Sequence, residues 1–118
     1  MTTLCVLNNR VILETCLLDR SQLAASCLIS CLAGAAFVKT STGYSTGGAQ
    51  ADDIRLMAWI AHPRGVKVKA SGGIRSFDKV KEMYESGADR IGASGTRAIL
   101  AEAMGGGKAT AADGAASY

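Results

Sequence analysis

The sequence has little that points to a metal, a membrane or a nucleic acid. It holds one histidine, His62, and four cysteines, Cys5, Cys16, Cys27 and Cys31, with no pair in CxxC spacing. His62 stands far from the cysteines in the chain, so a thiolate–imidazole metal site has no support. The cysteines read as buried free thiols, and Cys27 and Cys31, four apart on an expected helix, share a face. Aromatic residues are only 5% of the chain, too few for a base-stacking platform. The net charge of +3 comes from scattered Lys and Arg, which leaves no nucleic-acid footprint and is compatible with a small anionic substrate. No charged n-region leads into an apolar h-region, so no signal peptide is expected. The longest apolar-rich run, residues 24–38, is interrupted by Ser26, Ser30 and Gly34 and falls short of the ~20 residues of a membrane span. A reducing, cytoplasmic setting is the expectation.

What is present is a chain of 118 residues, 48% of them hydrophobic, which suits one globular domain with a real core. It is organised around Phe37-Val38-Lys39-Thr40-Ser41-Thr42-Gly43. The apolar residues 35–38 read as a buried strand that ends on a lysine, followed at once by small hydroxyl residues and glycine. Desolvation at such a place favours the neutral amine, which is a nucleophile toward carbonyls. The same seven residues also fit a lysine that snorkels out of a strand end. A second stretch, Val66-Lys67-Val68-Lys69, alternates as a strand, ends on a lysine and runs into Ala70-Ser71-Gly72-Gly73-Ile74-Arg75. If the two strands are parallel neighbours, about 4.8 Å apart, Lys39 and Lys69 share one edge of the sheet. Each cation then lowers the other's pKa, a known way to keep a Schiff-base lysine neutral.

The remaining chain falls into alternating elements. Residues 1–9 fit a frayed helix end and a short strand equally well. Residues 10–15 are rich in branched side chains and predict a strand. Glu14 at its end is either catalytic or an ion-pair partner for a nearby lysine, and ion pairing is the commoner use of such a carboxylate. Asp19 or Ser21 caps a helix to about Ala33, with Leu23, Ala24, Cys27, Leu28 and Cys31 at helical spacing and Gly34 in the left-handed position after it. Residues 40–48 form a loop of Gly, Ser and Thr around Tyr44, suited both to gathering N–H groups around a phosphate and to a flexible turn. A helix follows from Asp52 and Asp53, with Ile54, Met57, Ala58 and Ala61 on one face and Trp59 packed in the core. Pro63 and Gly65 stop it. Ser76 caps a third helix with Phe77, Val80, Met83 and Tyr84 as its apolar positions. Residues 89–92 are a short strand, and Ala93-Ser94-Gly95 leads into a last helix to about Met104.

Strand and helix thus alternate four times, which predicts parallel strands with helical crossovers. Residues 33–41 and 86–94 echo each other: Gly-Ala, a branched residue, then a small-residue turn ending in Ser. Four βα units are half of an eight-fold barrel. In barrels, phosphate sites form after the last two strands and at helix starts. Gly72-Gly73 and Gly92-Ala93-Ser94-Gly95 are the turns in those places.

These motifs carry a resemblance. Val11-Ile12-Leu13-Glu14-Thr15, the run from Phe37 through Gly43 to Ala49, Val68-Lys69-Ala70-Ser71-Gly72-Gly73-Ile74-Arg75, and Gly87-Ala88-Asp89-Arg90-Ile91-Gly92-Ala93-Ser94 together resemble the C-terminal half of the deoxyribose-phosphate aldolase family, the class I (Schiff-base) aldolases. The likeness covers about three quarters of the chain, residues 11–100. It implies an α/β fold, the C-terminal half of a TIM (β/α)8 barrel with four parallel βα units. Residues 1–104 would form this half-barrel domain, strands five to eight of the family fold, and residues 105–118 a flexible tail. It also implies reversible cleavage of 2-deoxy-D-ribose 5-phosphate to D-glyceraldehyde 3-phosphate and acetaldehyde, in deoxyribonucleotide catabolism, with no metal or organic cofactor.

By the same resemblance, Lys39 forms the imine with the aldehyde, and Lys69 tunes that amine and assists proton transfer. Thr42 contacts substrate; Gly43, Gly72, Gly73, Gly92 and Ser94 cradle the phosphate. Tyr118 resembles the terminal tyrosine that assists proton exchange in some members. The family's barrel is about twice this length, in keeping with the usual ~250 residues of the fold. No residue here matches its proton-transfer aspartate or a further substrate-side aspartate. Lys67 stands where the family usually has glycine and points the same way as Lys69. Gly95 stands where many members have a second serine. The expected partners are a small phosphosugar and either a second copy or a missing N-terminal half, with no nucleic acid or membrane. The alternative is a truncated, non-catalytic paralogue that binds phosphosugar or pairs with a full-length aldolase.

Overall fold

The computed structural model describes residues 8–105, so the opening segment, Cys5 and the tail with Tyr118 lie outside the described residues. Within them the elements alternate as expected: β1 (Arg10–Ile12), α1 (Arg20–Leu32), β2 (Phe37–Lys39), α2 (Ala51–Ala61), β3 (Lys67–Ser71), α3 (Phe77–Glu85), β4 (Arg90–Gly92) and α4 (Thr96–Ala103). The four strands form one sheet in the order β1-β2-β3-β4, and every pairing is parallel. Each crossover between neighbouring strands contains a helix, as parallel pairing requires.

Local chemistry sets where the helices begin. Of the two candidate caps for α1, Asp19 is the one used. Its carboxylate accepts from the Gln22 N–H at 2.8 Å, and the Gln22 side chain accepts from the Asp19 N–H at 3.0 Å. This reciprocal pair satisfies two donors that the first turn would leave orphaned. Gly34, at φ +90°, follows the end of α1. Asp52 and Asp53 occupy the first turn of α2, where the helix dipole favours carboxylates. The Ser76 hydroxyl caps α3 by accepting from the Lys79 N–H at 3.2 Å.

The helices cover one face of the sheet. Val38, Val68 and Ala70 pack there against Leu23 and Cys27 of α1, Ile54, Met57 and Ala61 of α2, and Met83 of α3. Side chains alternate along a strand, so the intervening residues go to the other face. There the register aligns Arg10 with Phe37 and Lys67, and Ile12 with Lys39, Lys69 and Arg90. Phe37 is buried beneath two of these cations: its ring centroid lies 5.9 Å from the Lys67 ammonium and 4.7 Å from the Arg90 guanidinium. Such stacking over an aromatic face is favourable to a cation.

The structure corrects several expectations. β1 ends at Ile12 instead of continuing to Thr15. The Leu13 and Thr15 N–H groups still reach the Lys39 and Thr40 carbonyls at 2.9 Å, but Glu14 between them turns into the left-handed region and a 3-10 turn, Thr15–Leu17, follows. β3 does not stop at Lys69 but runs on to Ser71. Thr40 Oγ1 accepts from the Ser71 N–H at 3.1 Å and donates to the Ser71 carbonyl at 2.8 Å, which extends the pairing through residues that resemble a turn.

Trp59 is 77% exposed, not core. Ile54, Met57, Ala58 and Ala61 make the buried stripe of α2, and Trp59 falls outside it. Tyr84, 72% exposed, and Phe77 likewise leave Met83 as the only fully buried position of α3. Cys27 and Cys31 are buried free thiols, whereas Cys16 is exposed. Among the described residues no helix is long and apolar enough to cross a membrane.

Candidate functional site

The site lies at the C-terminal ends of β2, β3 and β4. Lys39 is the last residue of β2 and pairs in register with Lys69 in β3. Both line a cleft of about 240 Å³ together with Thr42, Ser71, Gly92, Ala93 and Ser94. Five of the residues named from the sequence are thereby brought together: Lys39, Lys69, Thr42, Gly92 and Ser94. Gly92 has a specific steric role, since a Cβ there would sit 3.0 Å from Lys69 Cε and 3.1 Å from Ser71 Cβ. Its bare backbone lets the Lys69 side chain lie across β4.

Of the other four named residues, Gly43, Gly72 and Gly73 line a second cleft of about 200 Å³ with Ser45, Thr46, Gly47, Gly48 and Arg75, and Tyr118 lies outside the described residues. The two clefts share their walls: Thr42 and Ser71 line the first, and the next residues, Gly43 and Gly72, line the second. Gly48 and Gly72 are in backbone contact here. The Ala49 N–H donates to the Gly72 carbonyl at 3.0 Å, and a Cβ on Gly48 would run into that carbonyl.

The two lysine-bearing segments are tied to each other. Besides the Thr40–Ser71 pair, the Ser71 hydroxyl donates to the Ser41 carbonyl at 2.9 Å. Glu14 holds the turn from the other side. Its carboxylate accepts from the Thr42 hydroxyl at 2.6 Å and from the Thr42 N–H at 3.2 Å. Among the described residues its hydrogen bonds go to Thr42 and none goes to a lysine, which replaces the ion-pair expectation. Arg75 and Ser71 are among the lining residues that the sequence does not single out; Arg75 stands within the Lys69 motif, directly after Gly72-Gly73-Ile74.

Electrostatics bear on Lys69. Its pKa is lowered from the ordinary lysine value, first by burial and then by the positive charges of Lys39, Arg10 and Arg90. An amine held toward its neutral form can attack an aldehyde or relay a proton. Glycine turns with an arginine beside them offer N–H donors and charge to an anion. Among the described residues no group of three or more His, Cys, Asp or Glu is placed to hold a metal ion.

No family model matches the chain. It is 58% identical over 85 residues to the deoxyribose-phosphate aldolase of Thermotoga maritima, an alignment that covers 72% of this chain and 34% of that protein. Among solved structures it is similar to QR15, an aldolase, at a TM-score of 0.77 and 41% identity, covering 83% of this chain and 44% of that one. The tetrameric deoxyribose-phosphate aldolase of Aeropyrum pernix aligns at a TM-score of 0.74 and 41% identity, over 80% of this chain and 41% of that one. The chain spans 34% of the length of the Thermotoga relative, and its four parallel βα units match part of the aldolases' barrel. Over the stretch that aligns, the chain is homologous to part of the deoxyribose-phosphate aldolases.

Proposed function

We propose that the cleft between β2, β3 and β4 is a Schiff-base aldolase site for 2-deoxy-D-ribose 5-phosphate. The observation that carries the reading is the register pair Lys39–Lys69, opening on one cleft whose walls continue into the glycine turns and Arg75. The Lys39 amine adds to the C1 aldehyde of the open-chain sugar, and loss of water leaves an iminium. The C3 hydroxyl gives up its proton, the C2–C3 bond breaks, and its electron pair moves into the enamine. Glyceraldehyde 3-phosphate departs. Protonation of the enamine carbon and hydrolysis return the amine and release acetaldehyde. Lys69, with its lowered pKa, is the nearby group suited to move protons in these steps. Thr42 contacts the sugar, and Gly43, Gly72, Gly73, Gly92 and Ser94 hold the phosphate. Tyr118, outside the described residues, assists proton exchange, and residues 1–104 carry the rest. The setting is cytoplasmic deoxyribonucleotide catabolism.

A second reading is that the chain binds phosphosugar without turnover, or pairs with a longer aldolase. The sheet face opposite the helices favours pairing: it presents Arg10, Lys39, Lys67, Lys69 and Arg90. Face-to-face self-pairing would set these cations against their own copies, at a Coulomb cost. A complementary βα segment bearing carboxylates fits that face better, and self-association is left to the helical side, where Trp59 and Leu32 are exposed.

A coupled assay for glyceraldehyde 3-phosphate separates the readings. Slow release from 2-deoxyribose 5-phosphate, abolished in Lys39→Ala, supports the aldolase. Binding by the folded chain with no release supports the second reading. Release that is unchanged in Lys39→Ala contradicts the Schiff-base assignment.

A further inference from the structure

Glu14 is the only non-glycine residue with positive φ among the described residues, at φ 55° and ψ 63°. The left-handed region crowds a residue that carries a Cβ, so an acidic side chain is kept there only where its surroundings over-determine it. Two such constraints are visible. The flanking N–H groups of Leu13 and Thr15 are both committed to β2 and its continuation, at the Lys39 and Thr40 carbonyls. The carboxylate is committed as well. It takes the Thr42 hydroxyl at 2.6 Å and the Thr42 N–H at 3.2 Å, while Thr42 Oγ1 accepts from the Tyr44 N–H at 3.1 Å. Thr42 lines the lysine cleft and Gly43 the glycine cleft, so this one turn fixes the passage between them.

We infer that Glu14 is a positioning residue: its carboxylate pins the Thr42–Gly43 turn so that a phosphorylated sugar is held in front of the Lys39 amine. The inference rests on the aldolase reading for its substrate and on geometry for the turn. Glu14 lines neither cleft, acts through Thr42 and takes no proton from substrate. The main-chain strain is the cost of aiming its carboxylate across to the turn. A glycine would relieve that strain but could not hold Thr42.

The test compares the parent chain with Glu14→Gln and Glu14→Gly. Borohydride trapping is run in parallel with 2-deoxyribose 5-phosphate and with acetaldehyde, which has no phosphate to hold. Amide hydrogen exchange is measured at Thr42 and Tyr44. Loss of charge-assisted hydrogen bonds should slow phosphosugar trapping about tenfold and acetaldehyde trapping less than about twofold, with exchange at both amides at least about tenfold faster. Glu14→Gly should share these losses while unfolding at a denaturant concentration no lower than the parent's. An equal fall with both aldehydes would overturn the inference, because it would mark a general structural defect. Unchanged exchange at Thr42 and Tyr44 would overturn it too. If the parent chain traps neither aldehyde, the aldolase reading fails, and the exchange comparison still decides whether Glu14 holds the turn.

Discussion

Lys39 and Lys69 are register partners across β2 and β3, directly below the place where Thr40 and Ser71 exchange two hydrogen bonds. The pairing puts two like charges at one end of a parallel sheet, with Arg10 and Arg90 on the flanking strands. Neither strand can slip to separate them without breaking the Thr40–Ser71 link. The consequence is chemical: the protonated form of Lys69 is penalised by burial and by its neighbours.

The lowered amine is measurable. Competitive acylation as a function of pH should give Lys69 a midpoint below the ordinary lysine value of 10.5. Lys39→Met removes the neighbouring charge that acts most strongly on Lys69 and should move that midpoint upward. The sign for stability follows from proton counting. Where the folded pKa is below the unfolded one, the unfolded chain binds more protons, so this residue's penalty is full at low pH and is relieved as pH rises through the lowered value toward 10.5. Lys39→Met should flatten that rise.

The three described thiols should react in a definite order. Cys16 is exposed, and its pKa is lowered chiefly by a hydrogen bond from Ser45, with Thr46 and the Gly47 backbone adding to it against the opposing effects of desolvation and Glu14. Cys27 is buried, and burial with the nearby Cys31 pushes it up to about 12. Iodoacetamide near neutral pH should therefore label Cys16 first and Cys27 last, read by peptide mass mapping. Labelling of Cys27 ahead of Cys16 would contradict the packing of α1 against α2.

Gly48 is held against Gly72 by main-chain contact, with no flexible side chain to give way. Gly48→Ala must push the two turns apart. A loss of about 1–3 kcal/mol in urea unfolding is expected, the size of an overpacked core substitution. The glycine cleft should open with it, so phosphosugar affinity should fall in the same variant. Unchanged stability would show that the close approach is not maintained in solution.

Much of this was legible in the chain. Helical spacing with Asp19, Ser76 and Gly34 marked the helix ends, and the two Lys-plus-small-residue stretches gave neighbouring parallel strands. What was not legible has physical reasons. Positive φ is signalled by glycine or asparagine, and Glu14 is neither, so the sequence pattern of β1 runs three residues past its end. Ser71 looks like a turn residue, yet the Thr40 hydroxyl supplies the partner that keeps it in the strand. Trp59 sits among apolar neighbours in sequence, but it falls outside the buried stripe of α2 and stays exposed. The glycine cleft is walled in part by Gly48 and Gly72, whose close contact joins segments far apart in the chain.

The central claim is that Lys39 is the amine that captures the sugar aldehyde. Borohydride reduction in the presence of 2-deoxyribose 5-phosphate, followed by intact mass and peptide mapping, tests it most directly. The account predicts one substrate-derived adduct, located on Lys39 and lost in Lys39→Ala, with Lys69→Met slowing its formation. An adduct on Lys69 instead, or none on a folded chain that still binds the sugar phosphate, would contradict it.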